Sequence, residues 1–223
     1  SICASRSQSL LGEQRLIRMA EAESLASAFD VLRESAFGGE INYSSAEYER
    51  VIESEEKALN AFVKEYAPSD EIEGYCLAPY DFYNAEVMVK CEKLGLSYEE
   101  YVGPIGAFSL EELQLLVRGK EQAIFPKELV RAVKEALLIL EENGGGMAVG
   151  VIFARAKYEY LTRIVKTGYL KEIISKEIDG LNLCSAIRAN DVELAISQYV
   201  HGGKLTVEAI KAIALRDKKA LKL

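Results

Sequence analysis

The sequence predicts an all-α protein built from two related helical units. Apolar residues recur at the i, i+3, i+4 and i+7 spacing of a buried helical stripe along most of the 223 residues. No window alternates apolar and polar residues with period two for long enough to indicate a strand. The third observation is an internal repeat, because a polar motif near residue 80 returns in the second half of the chain.

The repeat consists of two short matches at nearly the same displacement. Three polar residues of the first match recur 98 positions later (179 − 81), and they pair as Asp81 with Asp179, Asn84 with Asn182, and Lys90 with Arg188. The second match places residues 106–113 over residues 203–210, and it keeps a glycine, a hydroxyl, a glutamate and a final aliphatic residue. Two matches at nearly one spacing indicate a duplication.

A helix is predicted to begin at each repeated aspartate. Asp81 follows Pro79, and a short carboxylate at a helix start can accept the unpaired amide hydrogens of the first turn. The asparagine three residues later then lies one turn along the same face, and Gly95 ends the first helix. This interpretation makes the motif a structural one, a pair of capped helices that face the core, rather than a ligand site.

Residues 1–45 are predicted to form an N-terminal helical segment. Helices are expected over residues 2–11 and 13–21. Ser24 then caps a further helix, which carries Leu25, Phe29 and Leu32 on one face. A glycine-containing loop leads to residue 45.

The two repeat units are assigned to residues 46–125 and 126–223. In the first unit, helical period runs from residue 46 to residue 66, and two S-x-x-E capping boxes, Ser97 to Glu100 and Ser109 to Glu112, predict two short helices. In the second unit, Pro126 starts a helix that stops at the glycines of residues 143–146, and another helix covers residues 147–165. Two more short helices are predicted from their capping residues, Asp191 and Thr206.

Composition narrows the class of protein. The net charge of −8 argues against a general nucleic-acid binder, which would need a basic face. Four cysteines without a CxxC pair fit the reducing cytosol. No charged segment leads into an apolar run near residue 1, so no signal peptide is expected. The longest uncharged stretch, residues 143–154, is too short to cross a bilayer. We therefore expect a cytoplasmic protein whose membrane association comes only through a partner.

The sequence offers few residues for catalysis or for a cofactor. Residues 143–150 are glycine-rich, but a phosphate loop follows a strand and carries Lys-Ser or Lys-Thr, so a turn between helices is predicted instead. A single histidine and scattered cysteines cannot supply a zinc ligand set. A Cys-His nucleophile pair, for instance Cys184 with His201, would suit a cysteine-dependent hydrolase, but no motif that orients such a pair is present. No catalytic residue, cofactor or metal is expected.

These residues resemble the C subunit of the archaeal and bacterial A/V-type rotary ATPases, the equivalent of the d subunit of eukaryotic vacuolar ATPases. The resemblance is carried by the duplicated Asp-x-x-Asn with its following Lys or Arg, and by the Gly and Ser-x-Glu of the second match. The order Ala4, Arg6, Leu10-Leu11 and the segment from Glu21 to Leu25 are similar to the opening of that family. Residues 156–161, ahead of Asp179, are similar to its tyrosine-bearing helix.

The resemblance implies a non-catalytic subunit that links the central stalk to the membrane rotor ring during proton or sodium transport. It implies those two partners and a cytoplasmic position at the membrane periphery, with no direct insertion and no nucleic acid bound. The family usually has three related subdomains, whereas this sequence stops soon after the second copy, so a trimmed chain and a divergent short member both stay open. The alternatives are a helical-repeat adaptor unrelated to ATPases and, more remotely, the cysteine-dependent hydrolase.

Overall fold

The computed structural model describes residues 7, 10–35, 43–120, 123–142 and 145–217, and all regular secondary structure within these ranges is helical. The predicted all-α class is therefore confirmed. Most of the helix predicted over residues 2–11 lies outside the described residues. The chain divides into two compact units, Ser1–Phe62 and Val63–Leu223. The boundaries predicted for the repeat units stay a prediction.

The first compact unit contains short helices around a small core. They are α1 (Glu13–Ala20), α2 (Leu25–Arg33), a 3-10 turn (Ser45–Glu47) and most of α3 (Tyr48–Tyr66). The predicted cap of α2 is confirmed, since the Ser24 hydroxyl accepts a hydrogen bond of 3.1 Å from the Ser27 amide. Phe29, Leu32 and Val51 form the buried cluster.

The second compact unit contains the repeated motifs. Its helices in the described ranges are α4 (Asp70–Leu94), α5 (Leu110–Val117), α6 (Lys127–Glu141), α7 (Gly146–Ile164), α8 (Gly168–Arg188), α9 (Val192–Ser197) and α10 (Val207–Ala214). Its main core is apolar and includes Phe82, Leu129, Phe153 and Ile178. A second, smaller cluster joins the end of α8 to α9 and α10. The long helix of each motif therefore packs against the short helices that follow it, α4 against α5 and α8 against α9 and α10.

The prediction that helices begin at Asp81 and Asp179 is wrong. Helix α4 starts at Asp70 and continues through Pro79. Its N-cap is Ser69, whose hydroxyl accepts a hydrogen bond from the Ile72 amide. Helix α8 starts at Gly168. Both aspartates therefore lie inside long helices, where the backbone amides of their own helix are already paired. Their carboxylates are free to bind a different segment.

The two predicted capping boxes have different outcomes. At Ser109 the box is confirmed: its amide donates to Glu112 Oε2 at 2.8 Å, and its hydroxyl accepts from the Glu112 amide at 3.2 Å. At Ser97 no helix follows, and residues 99–101 form a turn. The reason is that the segment just beyond this turn gives its backbone groups to Asn84 rather than to a helix.

The remaining helices predicted for the second repeat unit, residues 126–223, agree with the structure. Pro126 stands at the N-cap of α6, and α7 differs from its predicted range by one residue at each end. Asp191 and Thr206 cap α9 and α10: their side-chain oxygens accept hydrogen bonds from the amides of Leu194 and Ala209, at 2.7 and 3.2 Å. In the glycine-rich segment of residues 143–150, Gly145 is the N-cap of α7 and residues 146–150 already belong to that helix.

Candidate functional site

The first Asp-x-x-Asn motif fastens helix α4 to the loop before α5. One carboxylate oxygen of Asp81 accepts from the Ala107 amide at 3.1 Å, and the other accepts from the Phe108 amide at 3.2 Å. Both amides lie just before the Ser109 cap, so the aspartate fixes the position where α5 begins. We call this arrangement the first clamp.

Asn84 completes the first clamp one helical turn further along α4. Its amide nitrogen donates to the carbonyl oxygens of Gly103 and Ile105 at 3.0 and 3.3 Å, and its oxygen accepts from the Gly103 amide at 3.3 Å. Asn84 is buried, with 2% of its surface exposed. Because a buried amide without partners would be costly, these bonds specify how the loop sits on the helix.

The second motif builds a matching clamp between α8 and the loop before α10. Asp179 accepts from the amides of Lys204 and Leu205 at 3.0 and 2.8 Å. Asn182 exchanges two hydrogen bonds of 2.8 Å with the backbone of Val200, one from its amide nitrogen and one to its oxygen. The next helix again begins right after the bound amides, at the Thr206 cap.

The two clamps use equivalent loop positions. The amides held by Asp179 lie 97 positions (204 − 107) after those held by Asp81, and Val200 lies 97 positions after Gly103. This is the displacement found in the sequence between residues 106–113 and 203–210. The repeated residues therefore make repeated contacts.

Each clamp also requires a glycine. A Cβ atom at Gly106 would collide with Oδ1 of Asp81, and one at Gly203 would collide with Oδ1 of Asp179. Gly106 also has φ of +154°, a conformation that favours glycine. The glycine shared by the two copies in the sequence thus allows the loop backbone to approach the carboxylate.

The clamps differ in their exposure to solvent. Asp81 is 3% exposed, whereas Asp179 is half-buried. Burial raises the pKa of Asp81 to about 7, and the bonds from Phe108 and Ala107 and the charge of Lys64 oppose this rise only in part. In the first clamp, burial therefore disfavours the ionised form of the aspartate.

Lys90 and Arg188 belong to neither clamp. Lys90 donates to Glu86, one turn earlier on α4, at 2.5 Å. Arg188 is the last residue of α8 and is exposed. Both side chains line one cleft, which is also lined by Val200, the residue that Asn182 holds in the second clamp.

The second compact unit is also stabilised by contacts between helices that the sequence did not indicate. The Tyr75 hydroxyl donates to Glu177 at 2.9 Å, and Glu71 accepts from the Thr167 amide at 2.8 Å, so α4 and α8 are joined directly. Arg155 of α7 donates to the carbonyl oxygens of Tyr199 and Ser197 at 3.0 and 2.7 Å. No spacing in the sequence marks these pairs, because each joins distant segments.

An ion pair between α6 and α7, in which only the carboxylate is buried, was also missed. Glu128 is fully buried and takes two bonds from Arg163, at 2.7 and 3.0 Å. These bonds hold the pKa of Glu128 below its ordinary value. An acid in the first turn of a helix usually suggests only a favourable dipole interaction, so nothing in the local sequence indicated burial.

The structure describes both Cys184 and His201. Cys184 is exposed on α8, while His201 follows the buried Val200 and contacts the Tyr199 ring edge-on at 4.9 Å. Within the described ranges no hydrogen bond joins Cys184 to His201, and no group of three or more His, Cys, Asp or Glu side chains could hold a metal ion.

The fold and the two clamps define the class of protein: it is all-helical, and two of its loops are each bound to a long helix by backbone hydrogen bonds. Comparison with known proteins identifies the family. Residues 2–221 match the model of the ATP synthase (C/AC39) subunit family, so the chain belongs to that family. Among curated proteins it is similar to the C subunit of the V-type sodium ATPase of Enterococcus hirae, with 25% identity over 188 residues. That match covers 82% of this chain and 57% of the relative, so the chain spans little more than half of the relative's length.

Proposed function

We propose that this protein is a non-catalytic coupling subunit of a rotary A/V-type ATPase, and that it links the central stalk to the membrane rotor ring. The observation that carries the proposal is the family match, which extends over residues 2–221. The similarity to a subunit of a V-type sodium ATPase supports the same role. The ion transported by the complex is a proton or a sodium ion.

The clamps suit a part that transmits torque. Each of the short helices α5 and α10 is fixed to a long helix through backbone groups of the loop before it, and such contacts leave little freedom for the joint to bend. The bonds from Tyr75 to Glu177 and from Thr167 to Glu71 add direct links between the two long helices. A rigid connection between rotor and stalk is what coupling requires.

A coupling subunit should hydrolyse no ATP by itself. The sequence contains no G-x-x-x-x-G-K-[ST] loop to hold the phosphates and the magnesium ion. We therefore expect the purified protein to show no ATP turnover above a buffer control. Turnover that persists through further purification steps would contradict the non-catalytic role.

Partner binding provides the positive test. No helix in the described ranges is long and apolar enough to cross a membrane. We expect the tagged native protein to co-purify with membrane vesicles, together with central-stalk and rotor-ring subunits identified by mass spectrometry. Co-purification with unrelated soluble proteins, and with none of the ATPase subunits, would favour the helical-adaptor alternative.

A further inference from the structure

The two repeated cations, Lys90 and Arg188, converge on one cleft although they come from different copies of the motif. The cleft has a volume of about 500 Å³ and lies between α4, the start of α7, the end of α8 and α9. A volume of this size is typical of small-molecule sites. Neither cation takes part in the clamps, so the structural role of the motif does not explain why both positions are basic.

The charge of the cleft is opposite to that of the chain. The protein carries a net charge of −8, yet the described residues that line the cleft include two cations and no carboxylate. Lys90 is partly neutralised by Glu86, one turn away on α4, whose Oε1 also lies against Gly150 of the lining. The guanidinium of Arg188 has no hydrogen bond or ion pair with any side chain or carbonyl in the part of the chain that the structure describes. Arg188 is thus the uncompensated charge.

The rest of the lining leaves room for a ligand with an apolar body. Gly146, Gly150 and Ala154 present small residues on the α7 side. The glycines let α4 side chains approach, since a Cβ would lie 3.8 Å from Lys90 Cε at Gly146 and 3.3 Å from Glu86 Oε1 at Gly150. The apolar walls include Leu181 and Leu194. The neutral polar residues Ser185, Asn190 and Gln198 supply further hydrogen-bonding groups.

We propose that this cleft binds the phosphate group of a small organic phosphate, with Arg188 as its principal contact and Lys90 as its second. Arginine is suited to this task because its planar group donates two parallel hydrogen bonds to phosphate oxygens. The apolar walls accommodate the body of the ligand. This binding goes beyond the coupling role and involves no hydrolysis, so either can fail without the other.

Calorimetric titration of the whole protein with ADP, inorganic phosphate and adenosine tests the site. We expect ADP to bind saturably, phosphate to bind more weakly, and adenosine to bind least. Arg188→Gln should weaken ADP binding by about tenfold or more, the effect of losing a charge-assisted bond. Lys90→Gln should weaken it less, because Glu86 already shares that charge.

Arg118→Gln is the matched control. Arg118 is also an exposed arginine, it lies 3.8 Å from Glu92, and it does not line the cleft. Its replacement should leave ADP binding unchanged, and thermal melts should show that all three variants stay folded. Phosphate binding as tight as that of ADP would mean that the cleft takes free phosphate, which contradicts an organic ligand. No saturable ADP binding, or equal binding by wild type and Arg188→Gln, would overturn the site.

Discussion

Asp81 is more buried than its counterpart Asp179. Its carboxyl group is almost fully buried and accepts hydrogen bonds from two backbone amides, and no cation of the described residues donates to it. Lys64 and Glu112, which act on it from α3 and α5 with opposite signs, and Tyr160 from α7 are the nearby titratable groups. The balance between desolvation and two amide bonds therefore decides its ionisation.

Asp81 should make the stability of the protein depend on pH. Its pKa is raised from 3.8 to about 7 in the folded state, so the protonated form is favoured by folding. This contribution is complete below the unfolded pKa near 4 and is lost as pH rises through 7, by up to about 4 kcal/mol. We expect Asp81→Asn to flatten the pH dependence of the unfolding free energy between about pH 4 and pH 7. Urea melts at a series of pH values measure it.

Asp70→Asn is the control for the loss of one charge, because Asp70 lies exposed in the first turn of the same helix. It should retain the wild-type slope over this pH range. If Asp81→Asn also retained that slope, the ionisation assigned to Asp81 would be wrong.

The clamp glycines should not tolerate a side chain. Gly106→Ala and Gly203→Ala each place a Cβ against a bound carboxylate, so we expect a loss of about 1–3 kcal/mol in the free energy of unfolding. Gly180→Ala is a matched control, because Gly180 lies within α8 and an added Cβ meets nothing within 4 Å. It should stabilise the protein by up to about 1 kcal/mol. Equal effects of all three changes in chemical denaturation would contradict the clamp geometry.

At the scale of elements, the packing of α6 on α7 depends on an asymmetric ion pair. Glu128 is fully buried, whereas 47% of the Arg163 side chain is exposed. Arg163→Gln leaves a buried carboxylate without its partner, and we expect a cost of about 3–5 kcal/mol. Glu128→Gln leaves a cation that water can reach, so its cost should be smaller. Thermal and urea melts give the comparison.

The same pair of helices supplies the control. Arg131 bonds to Glu159 with both side chains about half exposed, at 53% and 49%. Arg131→Gln should change stability by about 0–1 kcal/mol. A larger loss for Arg131→Gln than for Arg163→Gln would show that burial does not govern these pairs.

The sequence predicted elements well where the signal is local and failed where it is not. Ser109 and Glu112 cap α5 with groups only three residues apart, so their spacing contains the whole interaction. The same spacing at Ser97 produced no helix, because Asn84 binds the backbone that follows. Asp81 was wrongly placed at a helix start because its partners, the amides of Ala107 and Phe108, lie 26 and 27 residues further along the chain. Spacing alone does not reveal such partners.

At the scale of the whole molecule, the internal repeat was the most informative feature of the sequence. It singled out Asp81, Asn84 and their counterparts, and the structure assigns these residues to two sets of equivalent hydrogen bonds. The direct contacts between α4 and α8 could not be predicted, since they are not repeated. We expect residues 46–125 and 126–223 to superpose as related units, with Asp81 over Asp179. An experimental structure with unrelated local folds at the two motifs would contradict the duplication.

The central claim is that the clamps are structural joints of a coupling subunit rather than its docking surface. It is tested most directly by Asp81→Ala, Asn84→Leu, Asp179→Ala and Asn182→Leu, each studied by thermal melting and by a pull-down with central-stalk subunits. We expect all four variants to melt at lower temperature, with the free energy of unfolding reduced by about 1–3 kcal/mol at each position because loop backbone groups lose their partners. Binding should be retained where the variants remain folded. Unchanged melting together with lost binding would contradict the claim.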